Sequence, residues 1–483
     1  MRYGFRTAAW AAATLIVLGA GAQAQDVAAD PAAPASSLTA DSATGSATGS
    51  AIKQAPGGFD SGFIQNPKLF RPEAAPQGVV FLISDAPGWA DGDTAQAQAL
   101  VARGYAVVGL DLPTYLHALA QPSDDEDCSY AISDIEEISK RLQSGTGADY
   151  RLPLIAGRGD GGGLALALTS QTPVSTIAAT VAVDPSAGIA LDRPLCTDAA
   201  HQQVGGRMVY GLLPEGPGQS VDLVFTPAAQ PTDRAHAEDL AKGQSDITIS
   251  AASSAPDVAL ATALSARIDQ LAQAAGPLNL PVEELSVAKP AFDTMAIFYS
   301  GDGGWRDIDR QVGTYLQQAG VPVVGVDSLR YFWAERTPQQ TADDLSRMIR
   351  HYRQHWGVKH VILVGYSFGA DILPESYDLL PAQDQAHVLL MSLMSLTHER
   401  DYEVHVTGWL GLSSGSDQDP TRDLQKVPAG IVQCISGDGD DEDACHDLTG
   451  RGYDLVSLPG GHHFDGDYET LTGHILRALK ARL

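Results

Sequence analysis

Positive charge is scarce in this sequence. Lys and Arg number 31 against 59 Asp and Glu, leaving a net charge of −28 over 483 residues. So acidic a chain is repelled by nucleic acid and by anionic lipid surfaces, so no nucleic-acid partner is expected, whereas a cationic substrate group would be attracted. Cysteine is rarer still: Cys128, Cys196, Cys434 and Cys445 are the four present, two in each half of the chain. No Cys-x-x-Cys spacing supports zinc, so no metal site and no cofactor is expected. Disulfides are favoured instead. The simplest pairing is Cys128–Cys196 and Cys434–Cys445, although four cysteines allow three connectivities. Long apolar runs are missing as well, with one exception at the very start.

That exception is the segment MRYGFRTAAWAAATLIVLGAGAQAQ. Arg2 and Arg6 form a short basic region, an apolar run extends from Ala8 to about Ala20, and Ala22-Gln23-Ala24 offers a small-x-small cleavage site. This is the layout of a secretory signal peptide over 1–24, and the run is too short for a membrane span. Export to an oxidising compartment agrees with the disulfides. Residues 25–60, rich in Ala, Ser, Thr, Asp and Pro, read as a disordered linker. What remains is too long for one core.

The remainder repeats itself. VVFLISDAPGW (79–89) lies on MAIFYSGDGGW (295–305), and YAVVGLDL (105–112) on VPVVGVDS (321–328), both at an offset of 216 residues. LPLIAGRGDGGGLALAL (152–168) and HVILVGYSFGADILP (360–374) follow in the same order. Apolar β-rich runs alternating with helical stretches imply mostly parallel sheets flanked by helices. The expected architecture is tandem α/β-hydrolase-like domains at 61–276 and 291–483, joined by a Pro-rich linker at 277–290, the first domain degenerate.

Chemistry concentrates in the second half. The apolar run Val361 to Val364 leads into Gly365-Tyr366-Ser367-Phe368-Gly369, a G-x-S-x-G pentapeptide with a helical stretch behind it. In that context the motif reads as a nucleophile elbow: the glycines admit a cramped strand-to-helix turn that exposes the serine oxygen at a helix N-terminus. The fold places an acid and then a histidine later in the chain. A strand over 453–458 runs into Pro459-Gly460-Gly461-His462-His463, which makes His462 the expected base and His463 its rival. A strand over 429–436 empties into an acidic loop, from which Asp440 is the expected acid and Asp441 the alternative. Backbone amides of Phe368 and Asp302 are the expected oxyanion donors. The first half has Gly159 where the serine should stand, and its 247–255 stretch has no histidine. GRGDGG also fits a G-x-G-x-x-G dinucleotide pattern, but the repeat already accounts for its glycines.

YSGDGGWRDID (299–309), VGYSFGADILP (364–374) and PGGHHFDGDY (459–468) together resemble the VirJ/AcvB family of bacterial virulence proteins. The two-domain layout with a signal peptide resembles its longer, AcvB-type members. The resemblance implies a periplasmic hydrolase of lysyl-phosphatidylglycerol, with the family's serine at Ser367 and its histidine in the Gly-Gly-His-His turn. It also implies an aminoacylated phospholipid at the membrane surface as substrate, and secretion-system proteins as a further class of partner. Asp302, Asp371, Asp465 and Asp467 lie beside these motifs and are candidates to pair with a lysyl ammonium. Competing readings are another exported acyl hydrolase, such as a lipase or thioesterase, and a non-catalytic accessory of a secretion system. An intact Ser-acid-His set beside an eroded one argues against the last.

Overall fold

The computed structural model describes residues 59–121, 127–214, 216–273, 278–404 and 418–483. The expected signal peptide and nearly all of the first expected linker lie outside the described residues. Sixteen strands are named here in chain order. The first half holds β1 (Lys68–Phe70), β2 (Val79–Ile83), β3 (Ala106–Leu110), β4 (Leu154–Arg158), β5 (Ala179–Val183), the hairpin β6 (His201–Val204) and β7 (Arg207–Tyr210), β8 (Ser220–Phe225) and β9 (Ile247–Ala251). The second holds β10 (Val282–Leu285), β11 (Thr294–Tyr299), β12 (Val323–Val326), β13 (His360–Tyr366), β14 (Val388–Met394), β15 (Val432–Gly437) and β16 (Asp454–Leu458).

They form two seven-stranded sheets, ordered β1-β3-β2-β4-β5-β8-β9 and β10-β12-β11-β13-β14-β15-β16. Each sheet is parallel except for its first strand, which pairs antiparallel with β3 or β12. The duplication read from the sequence is thus carried strand for strand. One difference from expectation stands out. Part of the Pro-rich 277–290 stretch is the edge strand β10, whose backbone pairs with β12 from Val282↔Val326 to Leu285↔Val323. An edge strand tolerates nearby proline because one of its sides needs no partner.

Both faces of each sheet are covered, as a parallel sheet requires. Along β11 the pleat sends Met295, Ile297 and Tyr299 into one apolar cluster and Ala296 and Phe298 into another. Trp305 shows how closely the halves agree. Its ring fills the space over Gly325, where a Cβ would stand 2.6 Å from it. Trp89 lies over Gly109 in the same way. The halves also share core: Tyr150 joins the cluster of the second sheet and packs on Trp333 with ring centroids 4.6 Å apart. Both predicted disulfides are present, Cys128–Cys196 and Cys434–Cys445. Among the described residues no helix is long and apolar enough to cross a membrane.

Candidate active site

Strand order reverses beside β11 and β13, and the carboxyl ends of strands at such a switch point open a crevice for ligands. Ser367 stands just past the end of β13, ahead of the helix Phe368–Asp378. Its φ of 50° and ψ of −120° are costly for a residue with a side chain, about 1–3 kcal/mol. The surroundings hold it there. The Ser367 N–H donates to the Met394 carbonyl at 2.9 Å. Glycine is obligatory on either side, since a Cβ at Gly365 would meet the Gly369 carbonyl at 2.5 Å and one at Gly369 would collide with the Tyr299 carbonyl.

The turn after β16 brings His462 to the serine. His462 Nε2 lies 2.9 Å from Ser367 Oγ, and its Nδ1 lies 2.9 Å from Asp440 Oδ2. A neutral imidazole with its proton on Nδ1 donates to the carboxylate and accepts from the serine hydroxyl. The Asp440 side chain is only 6 % exposed, which shields this pair from water. The rival residues go elsewhere. His463 Nδ1 bonds the Tyr366 hydroxyl at 2.9 Å, and Asp441 is exposed.

Two loops are stitched together to hold the histidine and its acid. The Asp438 N–H donates to the Leu458 carbonyl at 2.8 Å, the Gly439 N–H to the Gly460 carbonyl at 2.9 Å, and the Gly460 N–H to Asp438 Oδ1 at 3.1 Å. Gly460 has φ 102°, which needs glycine. The disulfide Cys434–Cys445 brackets the acid loop. Within it Asp443 is buried, and burial pushes its carboxyl up to about 6 against the Cys445 N–H that it accepts at 2.6 Å.

Two positioning residues were not legible in the sequence. The Tyr366 and Ser395 hydroxyls both donate to the backbone carbonyl of His462, at 3.3 and 3.1 Å. Burial pushes the Tyr366 phenol up, so it keeps its proton. Tyr366 occupies a variable place of the pentapeptide. Nothing local marks Ser395, which directly follows β14 with φ 49°.

The loop after β11, which carries Asp302, lies against the elbow. A Cβ on Gly301 would touch the Tyr366 ring at 3.3 Å and Ser367 Cβ at 3.9 Å. Phe368 opens its helix, so its N–H has no carbonyl partner in the preceding turn. Behind the loop lies Asp309, whose carboxyl burial pushes well above the usual range, opposed by the backbone amides of Gly301 and Arg306. Of the four acids considered for a lysyl ammonium, two have other tasks. Asp371 is buried and accepts from the Thr397 N–H at 2.8 Å and its hydroxyl at 3.0 Å. Asp467 caps the helix Tyr468–Lys480 through the Thr470 N–H. Asp465 is exposed and Asp302 half-buried beside the elbow.

In the first half the equivalent turn is intact and the chemistry is gone. Gly159 has φ 55°, but a Cβ there would collide with the Asp85 carboxylate. That carboxylate accepts the Asp160 N–H at 3.0 Å and faces Arg158, which also pairs with Asp93 and Asp257. Elsewhere His351 and His355 stack one turn apart on the helix Pro338–Trp356, with centroids 6.0 Å apart. No group of three metal-ligating side chains occurs among the described residues.

Strand order, elbow and late histidine define the class: this is an α/β-hydrolase carrying a serine-hydrolase constellation. Residues 293–483, the second sheet nearly entire, match the family described as bacterial virulence protein (VirJ). None of the curated protein sequences compared with the chain matches it. Among solved structures, Est1E from Butyrivibrio proteoclasticus is similar at 14% identity over 41% of this chain and 93% of its own, with a TM-score of 0.30. The type II thioesterase of the yersiniabactin pathway matches at 14% identity over 42% of this chain and 99% of its own, TM-score 0.30. The proline iminopeptidase of Mycobacterium smegmatis matches at 10% identity over 42% and 94%, TM-score 0.27.

Proposed function

We propose that this protein is an exported serine esterase that hydrolyses the aminoacyl ester of aminoacyl-phosphatidylglycerol, with lysyl-phosphatidylglycerol as the foremost substrate. The observation that carries the reading is the unbroken chain Asp440–His462–Ser367, with both links at 2.9 Å. His462 takes the proton of Ser367 as Oγ attacks the ester carbonyl, and Asp440 holds the imidazole and balances its charge. The developing oxyanion is received by the N–H groups of Phe368 and Asp302. His462 then returns the proton to the glycerol oxygen, phosphatidylglycerol leaves, and an aminoacyl-Ser367 ester remains. Water, deprotonated by His462, releases the free amino acid.

The choice of substrate draws on the VirJ match and on charge. A net charge of −28 favours a cationic acyl group, and Asp302 and Asp465 lie beside the motifs that would receive it. Two disulfides suit an oxidising compartment such as the periplasm. A direct test compares p-nitrophenyl esters of lysine and of acetate, together with fluorophosphonate labelling, on wild type and Ser367→Ala. The reading expects labelling confined to Ser367 and a higher kcat/KM for the lysyl ester. Equal labelling of the two proteins would defeat it.

A further inference from the structure

We infer that the first half of the chain is a positioning element for the site in the second, holding the loop that faces Ser367 through a Glu136–Arg306–Gly303 relay. The inference rests on the hydrolase reading above, in which this loop receives the oxyanion.

Glu136 stands on the helix Ile132–Gln143 of the first half. Its Oε1 lies 2.6 Å from Arg306 Nη2 and its Oε2 3.4 Å from Nη1, a two-pronged grip that fixes the plane of the guanidinium. Thr176, also of the first half, lies 3.5 Å from Nη1. The opposite edge of the same guanidinium works within the second half: Arg306 Nε donates to the Gly303 carbonyl at 2.7 Å. One planar group therefore ties Gly303, one residue past Asp302, to a helix 170 residues away in sequence.

Lys140 strengthens the relay. Its Nζ lies 2.6 Å from Glu136 Oε1, and its side chain is 1 % exposed. Burial pulls its ammonium down to about 8, opposed by Glu136 and, across the contact between the halves, by Asp302. The loop is thus held from behind by Asp309 and its own half, and from the side by Glu136 through Arg306.

Net stability is a poor account of this arrangement, because desolvating a buried ion pair offsets much of its attraction. Geometry explains it better. An oxyanion loop works only when its donors are fixed before the charge develops. The repeat supplies an internal contrast: the residue matching Arg306 at the 216-residue offset is Ala90, in the half whose site is filled by Asp85. The relay serves only the half with a serine.

The test uses the full-length mature protein with Glu136→Gln, Arg306→Lys and, as a control at the same contact, Asp149→Asn. Asp149 pairs with Arg336 at 3.3 Å but is 63 % exposed and away from the loop. Arg306→Lys keeps the charge and loses the link to Gly303, so it decides the matter should Glu136→Gln fold poorly. Kinetics on a soluble lysyl ester are read beside amide hydrogen exchange over 300–306. The expected result is faster exchange in both relay variants and a kcat lowered about tenfold with KM within about twofold, while Asp149→Asn matches wild type. Unchanged exchange and kcat in the relay variants of an active enzyme would overturn the relay alone. Wild-type protein no more active than Ser367→Ala would overturn the hydrolase reading, and the relay's purpose with it.

Discussion

The Asp85 carboxylate fills the space that a side chain on Gly159 would need. Gly159 is the counterpart of Ser367, and the two keep nearly the same left-handed backbone, φ 55° against 50°. Asp85 also accepts the N–H of Asp160, the counterpart of the Phe368 amide. The first half therefore retains the elbow and fills its anion site with a carboxylate of its own. Restoring the serine is not expected to restore a site. Gly159→Ser in a Ser367→Ala background should take up no fluorophosphonate and should lose about 1–3 kcal/mol of stability through strain and collision, read by denaturant unfolding.

The two adjacent histidines should separate cleanly. His462→Ala is expected to lower kcat by roughly 10⁴-fold or more, and Asp440→Asn by about 10²–10⁴-fold. His463 and Asp441 make neither of these contacts. His463→Ala and Asp441→Asn should stay within about tenfold of wild type on the same ester substrate. A reversal of this ranking would mean that the turn rearranges when substrate binds.

The two disulfides should differ in what they govern. Cys434–Cys445 brackets the loop that carries Asp440, whereas Cys128–Cys196 lies wholly in the first half. Replacing Cys434 and Cys445 by serine should lower kcat roughly tenfold at temperatures well below melting, by letting the acid drift from His462. Replacing Cys128 and Cys196 should lower the melting temperature and leave kcat near wild type. Equal kcat for the two double variants would detach the acid loop from its bridge.

Asp371 makes stability depend on pH. Burial raises its carboxyl to about 8, with the Thr397 bonds opposing the shift. Between its unfolded value near 4 and about 8, the folded protein keeps a proton that the unfolded chain has lost. The folded state then binds more protons, so stability falls as pH rises through that window. Asp371→Asn removes this group's contribution, and its melting temperature relative to wild type should be more favourable at pH 8 than at pH 5. Thermal melts at the two values decide it.

Much of this arrangement was readable from residues alone, for reasons that differ by element. The elbow is local: an apolar run, two glycines four residues apart and a helix suffice, and the collisions at Gly365 and Gly369 explain why no other residue fits. The duplication was visible because Trp89 and Trp305 each demand a glycine on the neighbouring strand, Gly109 and Gly325. β10 reads as linker because a four-residue edge strand with two exposed glutamates between two half-buried apolar residues carries almost no pattern. Ser395 and the Glu136–Arg306 contact were invisible because their partners lie 67 and 170 residues away. The choice of His462 over His463 depends on how a glycine turn aims two neighbouring side chains, which composition does not encode.

The most direct test of the central claim incubates the protein and its Ser367→Ala variant with vesicles of lysyl-, alanyl- and unmodified phosphatidylglycerol, and quantifies free amino acid and residual lipid. The account predicts release of lysine by wild type, slower release of alanine, no attack on unmodified lipid, and loss of all release in Ser367→Ala. Equal release by the two proteins, or none from either aminoacylated lipid, would contradict it.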